Sequence, residues 1–358
     1  MKIAFLNIYS GIINRGAERS TSELADRLGK NHEVWLFQGG EDKRKSHYKT
    51  IVISPVFPNF ADSSFSFLRK FYLDIWSINI LFFTLKIIPW LWNKNFDIVI
   101  PINGGWQTVL CRVMTWLKGK KMMIIGRAGI GRDDRWNLIW KPDVFIALTN
   151  AALSWAKDKA KDIKVVKIPN GVDLTEFNSS GEKARLFLSR PLILCVGALV
   201  ENKRIDLTIK AVSKIKNCSL LILGDGLLKE KLQILGEKLL GNKRFAIKTV
   251  ELSDIPEYYR VADVFTLVSE RGEAFGNVYL EAMASNLPVV TVDDETRREI
   301  MGNAGIFIES DNVEVYARAL ERAIKADSGN VSRERAKKYS WERIVREYEN
   351  LFKQLKNI

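Results

Sequence analysis

The sequence predicts an α/β fold of two Rossmann-like domains, and its length, composition and order of elements support this prediction. The chain has 358 residues, which suits two domains better than one because a single domain typically holds about 100–200 residues. Hydrophobic residues make up 47% and charged residues 27%, the balance of a packed chain rather than a disordered one. Short β-branched runs alternate with helical stretches, which is typical of parallel sheets wrapped by helices.

The predicted strands form two similar sets. Each strand is short and apolar and is followed by turn residues, so both sets repeat the same unit of strand and helix. The first set lies at residues 2–7, 33–37, 50–53, 97–100, 122–125 and 144–148. The second set lies at residues 192–196, 220–223, 245–248, 264–268, 289–292 and 306–308.

Turn residues separate the two sets at residues 168–173, and a polar stretch follows them. Because such clusters favour connections, we place the linker there. After Ser340, apolar residues at helical spacing predict an amphipathic helix that needs a partner, and we expect it to cross back to the first domain. The predicted division is a first domain at residues 1–170, a linker at 171–190, a second domain at 191–339 and this helix at 340–358.

The formal net charge of +13 indicates an anionic partner, because basic domains attract the phosphates of nucleotides, nucleic acids or lipids. Nucleic acid is not expected, since the chain lacks interleaved aromatic and basic residues and zinc-finger spacing. The cysteines, Cys111, Cys195 and Cys218, lie far apart and predict a reducing compartment without disulfides or a zinc site. The N-terminus has the pattern of a first strand rather than of a signal peptide, so a cytoplasmic location is expected.

The segment at residues 269–285 carries the strongest functional signal. It leaves a buried strand, passes a loop that contains glycine and enters a helix that ends near Asn286. In an open parallel sheet, ligands bind at the carboxyl ends of the strands, where a helix N-terminus presents free backbone N–H groups to anions. The amides of Phe275, Gly276 and Asn277 are therefore expected to hold a diphosphate.

Two glutamates, Glu273 and Glu281, frame the start of this helix. Eight helical residues would separate them by about 12 Å along the axis, whereas the two carboxylates of a retaining glycoside hydrolase lie about 5–5.5 Å apart. The pair therefore suits two contacts on one long ligand, since carboxylates accept hydrogen bonds from sugar and ribose hydroxyls.

The run Glu273-Ala274-Phe275-Gly276 with Glu281 resembles the Glu–seven residues–Glu motif of the large retaining GT-B glycosyltransferase family. Further matches follow in the order of that family and cover nearly the whole chain. They lie at residues 16–18, 169–173, 196–203, 223–226, 259–263, 282–284 with 288–290, and 340–342. The resemblance implies two Rossmann-like domains facing each other across a cleft. It further implies that the second domain binds a nucleotide-sugar donor and the first a glycan, lipid-linked or small-molecule acceptor.

The same resemblance implies roles for single residues. Lys203 would neutralise the leaving diphosphate, Glu281 would bind the donor ribose, and Glu273 would bind hydroxyls of the transferred sugar. The implied catalytic set is Glu273, Lys203 and Arg127. The implied donor-binding set is Gly16, Lys203, Arg204, Gly224, Glu273, Ala274, Phe275, Gly276, Asn277 and Glu281. No metal and no cofactor is implied, because a lysine and the helix dipole together stabilise charge on the leaving group.

Two positions depart from the pattern of the family. Ala198 stands where relatives commonly have an arginine, and Arg204 is the candidate for the second positive charge. Gly126 and Arg127 stand where many relatives carry a histidine near the sugar. The loop that begins at Arg127 is rich in glycine and charge and is the candidate for an acceptor or sugar pocket.

Two other functions fit the same architecture. A sugar-nucleotide epimerase or hydrolase would need acid and base residues in the site, and the histidines, His32 and His47, lie at a strand start and in a polar loop. A non-catalytic binder of nucleotide sugars would release no nucleoside diphosphate when an acceptor is present.

Residues 65–92 form an apolar, aromatic stretch that also carries Arg69, Lys70 and Lys86. Its longest uncharged run, residues 75–85, is shorter than the roughly 18 residues of a membrane span, so no span is expected. Aromatic rings flanked by cations are typical of an interfacial anchor on anionic lipid, whereas a core helix can be equally apolar. The excess of basic residues favours a peripheral role at the inner face of the membrane.

Overall fold

A computed structural model describes residues 1–13, 15–41, 46–57, 70–309, 311–326 and 329–356. The chain divides into two compact units. Unit 1 comprises residues 1–169 together with the segment from Val345 onward, and unit 2 comprises residues 170–344. Each unit has a parallel sheet whose strands alternate with helices along the chain. The prediction of two Rossmann-like α/β domains is therefore confirmed.

The sheet of unit 1 has seven strands in the order β3-β2-β1-β4-β5-β6-β7. Its strands are β1 (Lys2–Asn7), β2 (Glu33–Gln38), β3 (Lys49–Val52), β4 (Ile98–Pro101), β5 (Lys121–Ile125), β6 (Val144–Ala147) and β7 (Lys164–Lys167). The helices between them are α1 (Gly16–Gly29), α2 (Ile75–Asn93), α3 (Trp106–Leu117), α4 (Arg132–Ile139) and α5 (Asn150–Lys159). In β1, Ile3, Ala4 and Phe5 are fully buried. Central strands of a parallel sheet are covered on both faces, which explains their continuous apolar sequences.

The sheet of unit 2 has six strands in the order β10-β9-β8-β11-β12-β13. Its strands are β8 (Leu192–Val196), β9 (Ser219–Leu223), β10 (Phe245–Lys248), β11 (Val264–Leu267), β12 (Val289–Val292) and β13 (Gly305–Ile308). Its helices are α6 (Ile205–Ser213), α7 (Lys229–Leu240), α8 (Ile255–Val261), α9 (Asn277–Ala284), α10 (Glu295–Met301), α11 (Val313–Lys325) and α12 (Val331–Lys337). Short 3-10 turns lie at Glu201–Lys203 and Gly302–Ala304, and helix α13 (Trp341–Lys356) follows α12.

The strand order of each sheet reverses at one position among the described strands. The reversal lies between β1 and β4 in unit 1 and between β8 and β11 in unit 2. Loops that leave the carboxyl ends of the strands diverge at such a point, and ligands of open α/β sheets bind in the crevice between them. The topology of each unit therefore defines where a site is expected.

All the predicted strands are present, and their ends agree with the structure to within one residue. The strand that sequence reasoning missed is β7. Its sequence, Lys164-Val165-Val166-Lys167, places a lysine at each end and immediately precedes the turn-rich segment. The strand lies at the edge of the sheet and is only partly buried. It therefore lacks the continuous apolar run by which the central strands were predicted.

The C-terminal helix α13 buries one face along its length. Tyr348, Leu351 and Phe352 are buried, and the ring of Phe352 meets that of His32 edge-on with centroids 5.8 Å apart. The residues from Val345 onward group with unit 1. The helix therefore contributes to the core of the first unit from the far end of the sequence.

We expect Phe352→Ala to lower the free energy of unfolding by about 3–5 kcal/mol, because it leaves a cavity at a fully buried site. Phe352 is 1% exposed, whereas the next residue, Lys353, is exposed. Lys353→Ala is the matched control and should change the free energy of unfolding by less than about 0.5 kcal/mol. Equal melting temperatures for the two variants in thermal denaturation would show that α13 is not part of the core.

Helix α2 is long and apolar enough, by length and composition, to cross a membrane, and it is the one such helix among the described residues. The uncharged run at residues 75–85 ends at Lys86, but Lys86 is the sole charged residue of the helix, so the helix as a whole remains apolar. Several of its side chains, Phe83, Ile87 and Leu91 among them, lie in the hydrophobic core of unit 1. A core helix passes the same test of composition, so this feature is weak evidence for a span. Residues 65–69 of the predicted apolar stretch lie outside the described residues.

Candidate active site

The loops after β8 and β11 leave the sheet of unit 2 at its point of reversal. The strands are neighbours and parallel, with Val264 opposite Ile193. The loop after β8 ends in the 3-10 turn at Glu201–Lys203, and the loop after β11 leads to helix α9. The backbone N–H of Glu270 donates to the carbonyl of Asn202 at 2.8 Å. This hydrogen bond joins the loops, so side chains from the two strand ends meet there.

Glycine is required where the chain leaves β9, next to the loop after β8. A Cβ atom built on Gly224 would lie 1.9 Å from the carbonyl oxygen of Gly197. The backbones of the two loops therefore approach each other more closely than any side chain permits. The packing accounts for Gly224 fully, and its predicted contact with the donor stays a prediction.

Glu273 is the centre of a cluster of charges at this edge. Its Oε1 accepts a hydrogen bond from the ammonium of Lys203, and its Oε2 accepts from Ser269 Oγ at 2.7 Å and from Arg297 Nη2 at 3.3 Å. The side chains of Lys203 and Glu273 are each 20% exposed. Burial alone would raise the pKa of Glu273, but Lys203, Ser269 and Arg297 together hold it below its usual value. Glu273 is therefore a carboxylate with a partly open face.

Arg297 supports this cluster from inside the unit and was missed by sequence reasoning. It is 1% exposed, and its Nε donates to the hydroxyl of Tyr279 at 3.1 Å, while its Nη1 pairs with Asp294. Asp294 also caps α10, accepting from the backbone N–H of Arg297 at 2.8 Å. The sequence signal was an aspartate two residues after a strand, with an arginine three residues later. This signal is common at helix starts and does not by itself indicate a site.

Helix α9 starts at the same edge, as the motif predicts. Its N-cap residue is Gly276, at φ +95°, where an L side chain is strained. A Cβ there would also lie 2.6 Å from the ring of Tyr279, so glycine is needed twice over. The next residue, Asn277, accepts a hydrogen bond on its Oδ1 from Asn170 Nδ2 at 2.9 Å. The N-terminus of α9 carries the positive end of the helix dipole, which suits an anion.

Glu281 lies in the second turn of α9 and is 9% exposed. Its Oε2 accepts a hydrogen bond from the hydroxyl of Tyr259, on α8, at 3.0 Å. This bond fixes the orientation of a carboxylate on the same helix whose N-terminus adjoins Glu273. The glutamates therefore do not form a pair, and each has its own hydrogen-bonding partners.

The other predicted site residues fall into two groups. In unit 2, Arg204 adopts a left-handed conformation at φ +51° and pairs with Asp311, and Phe275 is buried against Tyr339 with ring centroids 6.2 Å apart. Ala274 is half-buried beside Phe275. A donor contact by these residues stays a prediction.

Gly16 and Arg127 lie in unit 1. Gly16 is the first residue of α1 and is exposed. Arg127 follows β5 and donates to the carbonyl of Ala17 and to Ser20 Oγ, the latter at 2.5 Å. The two predicted residues are therefore close together, because Arg127 binds the first turn of α1, which begins at Gly16.

No group of three or more His, Cys, Asp or Glu side chains within the described part of the chain could hold a metal ion. Cys111, Cys195 and Cys218 are buried free thiols. Burial raises the pKa of each, so these thiols are inert core residues rather than nucleophiles.

Residues 177–343 match the family model described as glycosyl transferases group 1. An uncharacterized glycosyltransferase of Methanocaldococcus jannaschii is 32% identical over 53% of this chain and 54% of its own length. Phosphatidyl-myo-inositol mannosyltransferase of Mycobacterium tuberculosis is 29% identical over 58% of this chain and 59% of its own length. The fold is similar to that of Anabaena HepE, solved in complex with UDP and glucose, with a TM-score of 0.76, 17% identity and 100% of both chains covered.

The matched residues lie in unit 2, which is therefore similar to the group 1 glycosyltransferase family, and the fold of the chain is the GT-B fold. The chain spans between about a third and three fifths of the length of the curated relatives it matches, with 36%, 54% and 59% for three of them. The residues that the family model matches lie in the unit that carries Lys203, Glu273 and Arg297.

Proposed function

We propose that this protein is a retaining glycosyltransferase that transfers a sugar from a nucleoside diphosphate to an acceptor hydroxyl, with unit 2 binding the donor. The observation that carries the proposal is the contact between Lys203 and Glu273 at the carboxyl edge of the sheet, beside the N-terminus of α9. A cation, a carboxylate and a helix N-terminus at one edge match the parts of a sugar nucleotide. The cation and the positive end of the helix dipole suit the diphosphate, and the carboxylate suits sugar hydroxyls.

The geometry favours stabilisation of the leaving group over acid and base catalysis. Negative charge grows on the diphosphate as the bond to the sugar breaks, and preorganised donors lower the energy of that state. The ammonium of Lys203 contacts Glu273 in this structure, and a bound diphosphate would compete for it. Arg297 and Ser269 keep Glu273 ionised when Lys203 turns to the phosphate. Glu273 then accepts hydrogen bonds from the transferred sugar.

We propose that the reaction needs no metal ion, because the ammonium of Lys203 and the N-terminus of α9 stabilise the charge of the diphosphate in its place. Retention at the anomeric carbon follows if the departing phosphate takes the proton of the acceptor hydroxyl on the same face of the sugar. A relative of the same fold is solved with UDP and glucose, so UDP sugars are the first donors to test.

Release of nucleoside diphosphate is the direct test. UDP-glucose, GDP-mannose and ADP-glucose are incubated with the protein and a set of acceptors, with and without a chelator. We expect one donor to release diphosphate in an acceptor-dependent manner, unchanged by the chelator, and NMR of the product to give the anomeric configuration of the donor. Tight binding of a donor without any release would instead favour the non-catalytic binder.

We propose that unit 1 also meets an anionic lipid surface at the cytoplasmic face of the membrane, where a lipid-linked acceptor would be presented. Helices α2 and α3 pack together and share an exposed apolar surface. Its members are Phe82, Leu85, Trp90, Trp92, Val113, Trp116 and Leu117. The ammonium of Lys118 lies 4.6 Å from the ring of Trp92, so cations border these rings. Large apolar patches rimmed by cations are typical of membrane contacts.

We expect the protein to float with anionic vesicles at low salt and to lose this binding at high salt or with neutral vesicles. Trp116 is 74% exposed, and Trp116→Glu should reduce the bound fraction severalfold because it places a negative charge in the patch. Phe187→Glu is the matched control, since Phe187 is fully exposed in unit 2. Equal flotation of the two variants would contradict the role of this patch. If the wild type does not float with anionic vesicles, the membrane proposal is wrong and the acceptor is a soluble molecule.

A further inference from the structure

A cavity of about 310 Å³ in unit 1 is lined by residues of α4 and of the turn that joins α5 to β7. Its lining includes Lys141, three residues before β6, and Ile163, the residue before β7. Strands β6 and β7 are parallel neighbours, and their first residues, Val144 and Lys164, lie opposite each other. The cavity is therefore at the amino edge of the sheet, away from the carboxyl edge where open α/β sheets bind their substrates.

The floor of the cavity is apolar. Leu138 is 4% exposed and belongs to the hydrophobic core of unit 1, and Ala160 and Ile163 pack against that core. Ligand sites typically have a volume of about 300–1,000 Å³ and combine apolar walls with a few charged or polar groups. The volume and the floor of this cavity therefore match a small ligand that has an apolar part.

Cations outnumber acids around this floor. Arg135, Lys141, Lys159 and Lys161 line the cavity, and Asp162 is the sole acid in its lining. Four positive charges and one negative charge give the lining a formal charge of +3. A concave site with such an excess of cations attracts anions.

Two of these cations, Arg135 and Lys161, make no side-chain hydrogen bond or salt bridge to any residue that the structure describes. Asp158 lies close enough to Lys161 to feel its charge but accepts its hydrogen bond, at 2.9 Å, from Lys159. An arginine presents N–H donors in a planar fork that binds two oxygens of one phosphate, and a lysine adds a compact point charge. The two unpaired cations are therefore available to a phosphate group.

Lys141 occupies a backbone position where glycine is usual. It follows the C-cap residue of α4 at φ +44°, and its backbone N–H donates to the carbonyl of Leu138 at 3.0 Å. Helices commonly end with glycine in this left-handed conformation, and a lysine there is strained. Its ammonium lies 3.7 Å from Asp162, but the side chains are 71% and 82% exposed, and such pairs contribute little. The helix end therefore does not explain the lysine, whereas a need for charge at the cavity does.

We propose that this cavity binds a phosphate group that carries a small organic substituent, with Arg135 and Lys161 on the phosphate oxygens and the floor against the substituent. Glycerol 3-phosphate has this chemistry, both as a soluble ester and within the headgroups of phospholipids. Binding at the amino edge requires neither a sugar nucleotide nor an acceptor. The inference is therefore independent of the proposed glycosyltransferase function.

Calorimetric titration of the full chain with glycerol 3-phosphate tests the site. We expect saturable binding that Arg135→Gln and Lys161→Gln each weaken about tenfold or more, the effect of losing a hydrogen bond to a charged group. Lys157→Gln is the matched control, because Lys157 is an exposed cation in the last turn of α5 that lies outside the lining. It should leave the affinity unchanged. Equal weakening by all three variants would mean general attraction by positive charge and would overturn the proposal.

Lys203→Ala separates this site from the donor site, since a site for a diphosphate can also hold a phosphate. Binding of glycerol 3-phosphate should survive in Lys203→Ala and be weakened in Arg135→Gln, and the reverse pattern would overturn the proposal. Arg135→Gln should leave the binding of UDP unchanged. Because these titrations need no transfer reaction, failure of the wild type to release diphosphate from any donor would contradict the proposed function alone.

Lys141→Gly tests the strained residue. Glycine adopts φ +44° without strain, so this variant should melt no lower than the wild type while it binds glycerol 3-phosphate more weakly. A lower melting temperature with unchanged affinity would overturn the assignment of Lys141 to the site.

Flotation distinguishes the two sources of the phosphate group. The wild type, Arg135→Gln and Trp116→Glu are compared on vesicles of phosphatidylcholine with and without phosphatidic acid. A loss of flotation in Arg135→Gln assigns the cavity to a lipid headgroup, whereas unchanged flotation with weakened binding of glycerol 3-phosphate assigns it to a soluble ester. Trp116→Glu alters the apolar surface of α2 and α3 and should leave the binding of soluble glycerol 3-phosphate unchanged. Absence of saturable binding by the wild type, together with unchanged flotation of Arg135→Gln, would overturn the proposal.

Discussion

Lys203→Ala is expected to lower the rate of donor turnover about 10²–10³-fold, the usual effect of removing one preorganised charge from a developing anion. The side chain is 20% exposed and belongs to a short 3-10 turn, so its removal leaves no cavity. Glu273 keeps its hydrogen bonds from Ser269 and Arg297, and the fold should remain intact. The measurement is diphosphate release under saturating acceptor, together with a thermal melt.

Lys210→Ala is the matched control for this prediction. Lys210 lies on α6, which follows the same loop, and pairs with Asp206 on the surface, where both side chains are 44% exposed. Its removal should leave diphosphate release unchanged. If Lys203→Ala keeps the turnover of the wild type, the assignment of the donor site to this edge is wrong.

The second glutamate of the motif should act on binding of the donor. Glu281→Ala removes a buried carboxylate that Tyr259 orients at 3.0 Å, and we expect a loss of about 1.5–3 kcal/mol in donor affinity, the size of a hydrogen bond to a charged group. Calorimetry with UDP measures this directly. A loss that appears with the sugar nucleotide but not with UDP would move the contact from the ribose to the transferred sugar.

Most of the fold and the centre of the site could be predicted because they rest on local sequence. Central strands of a parallel sheet are apolar runs between turns, and the glycine before α9 is required by the backbone at φ +95°. The loop that carries Lys203 and the loop that carries Glu273 each follow such a strand, so the topology of the sheet brings them together. A strand at the sheet edge, such as β7, carries less of this signal.

Contacts that depend on distant parts of the chain could not be predicted. Arg297 reaches Ser269 and Glu273 from helix α10, and nothing in the sequence around it distinguishes it from a surface arginine such as Arg298. Sequence patterns gave the positions of the elements, whereas the partners of buried charges follow from how the elements pack.

Arg297→Met is expected to lower the free energy of unfolding by about 3–5 kcal/mol, as much as Phe352→Ala. A guanidinium carries five N–H donors, and those of Arg297 bind the hydroxyl of Tyr279, the carboxylates of Asp294 and Glu273, and Ser269 Oγ at 2.6 Å. Methionine fills much of the volume but donates nothing. The buried oxygens that Arg297 binds would then have lost a hydrogen-bond donor. Leaving them unpaired and out of contact with water costs more than the loss of the hydrogen bonds alone.

The adjacent residue provides the control, because Arg298 also pairs with an aspartate but on the surface. Its side chain is 60% exposed and contacts Asp293, so Arg298→Met should change the free energy of unfolding by at most about 1 kcal/mol. The pH dependence distinguishes the mechanism further. Lys203, Ser269 and Arg297 hold the pKa of Glu273 below its usual value in the folded protein. They therefore stabilise the fold above about pH 4.3, the pKa of a glutamate in the unfolded chain. This stabilisation is lost as the pH falls through the pKa of Glu273 in the folded protein. Arg297→Met should therefore differ most from the wild type near neutral pH, and denaturant titrations at pH 7 and pH 3 measure the difference. An equal effect at both pH values would mean that Arg297 acts through packing rather than through its charge.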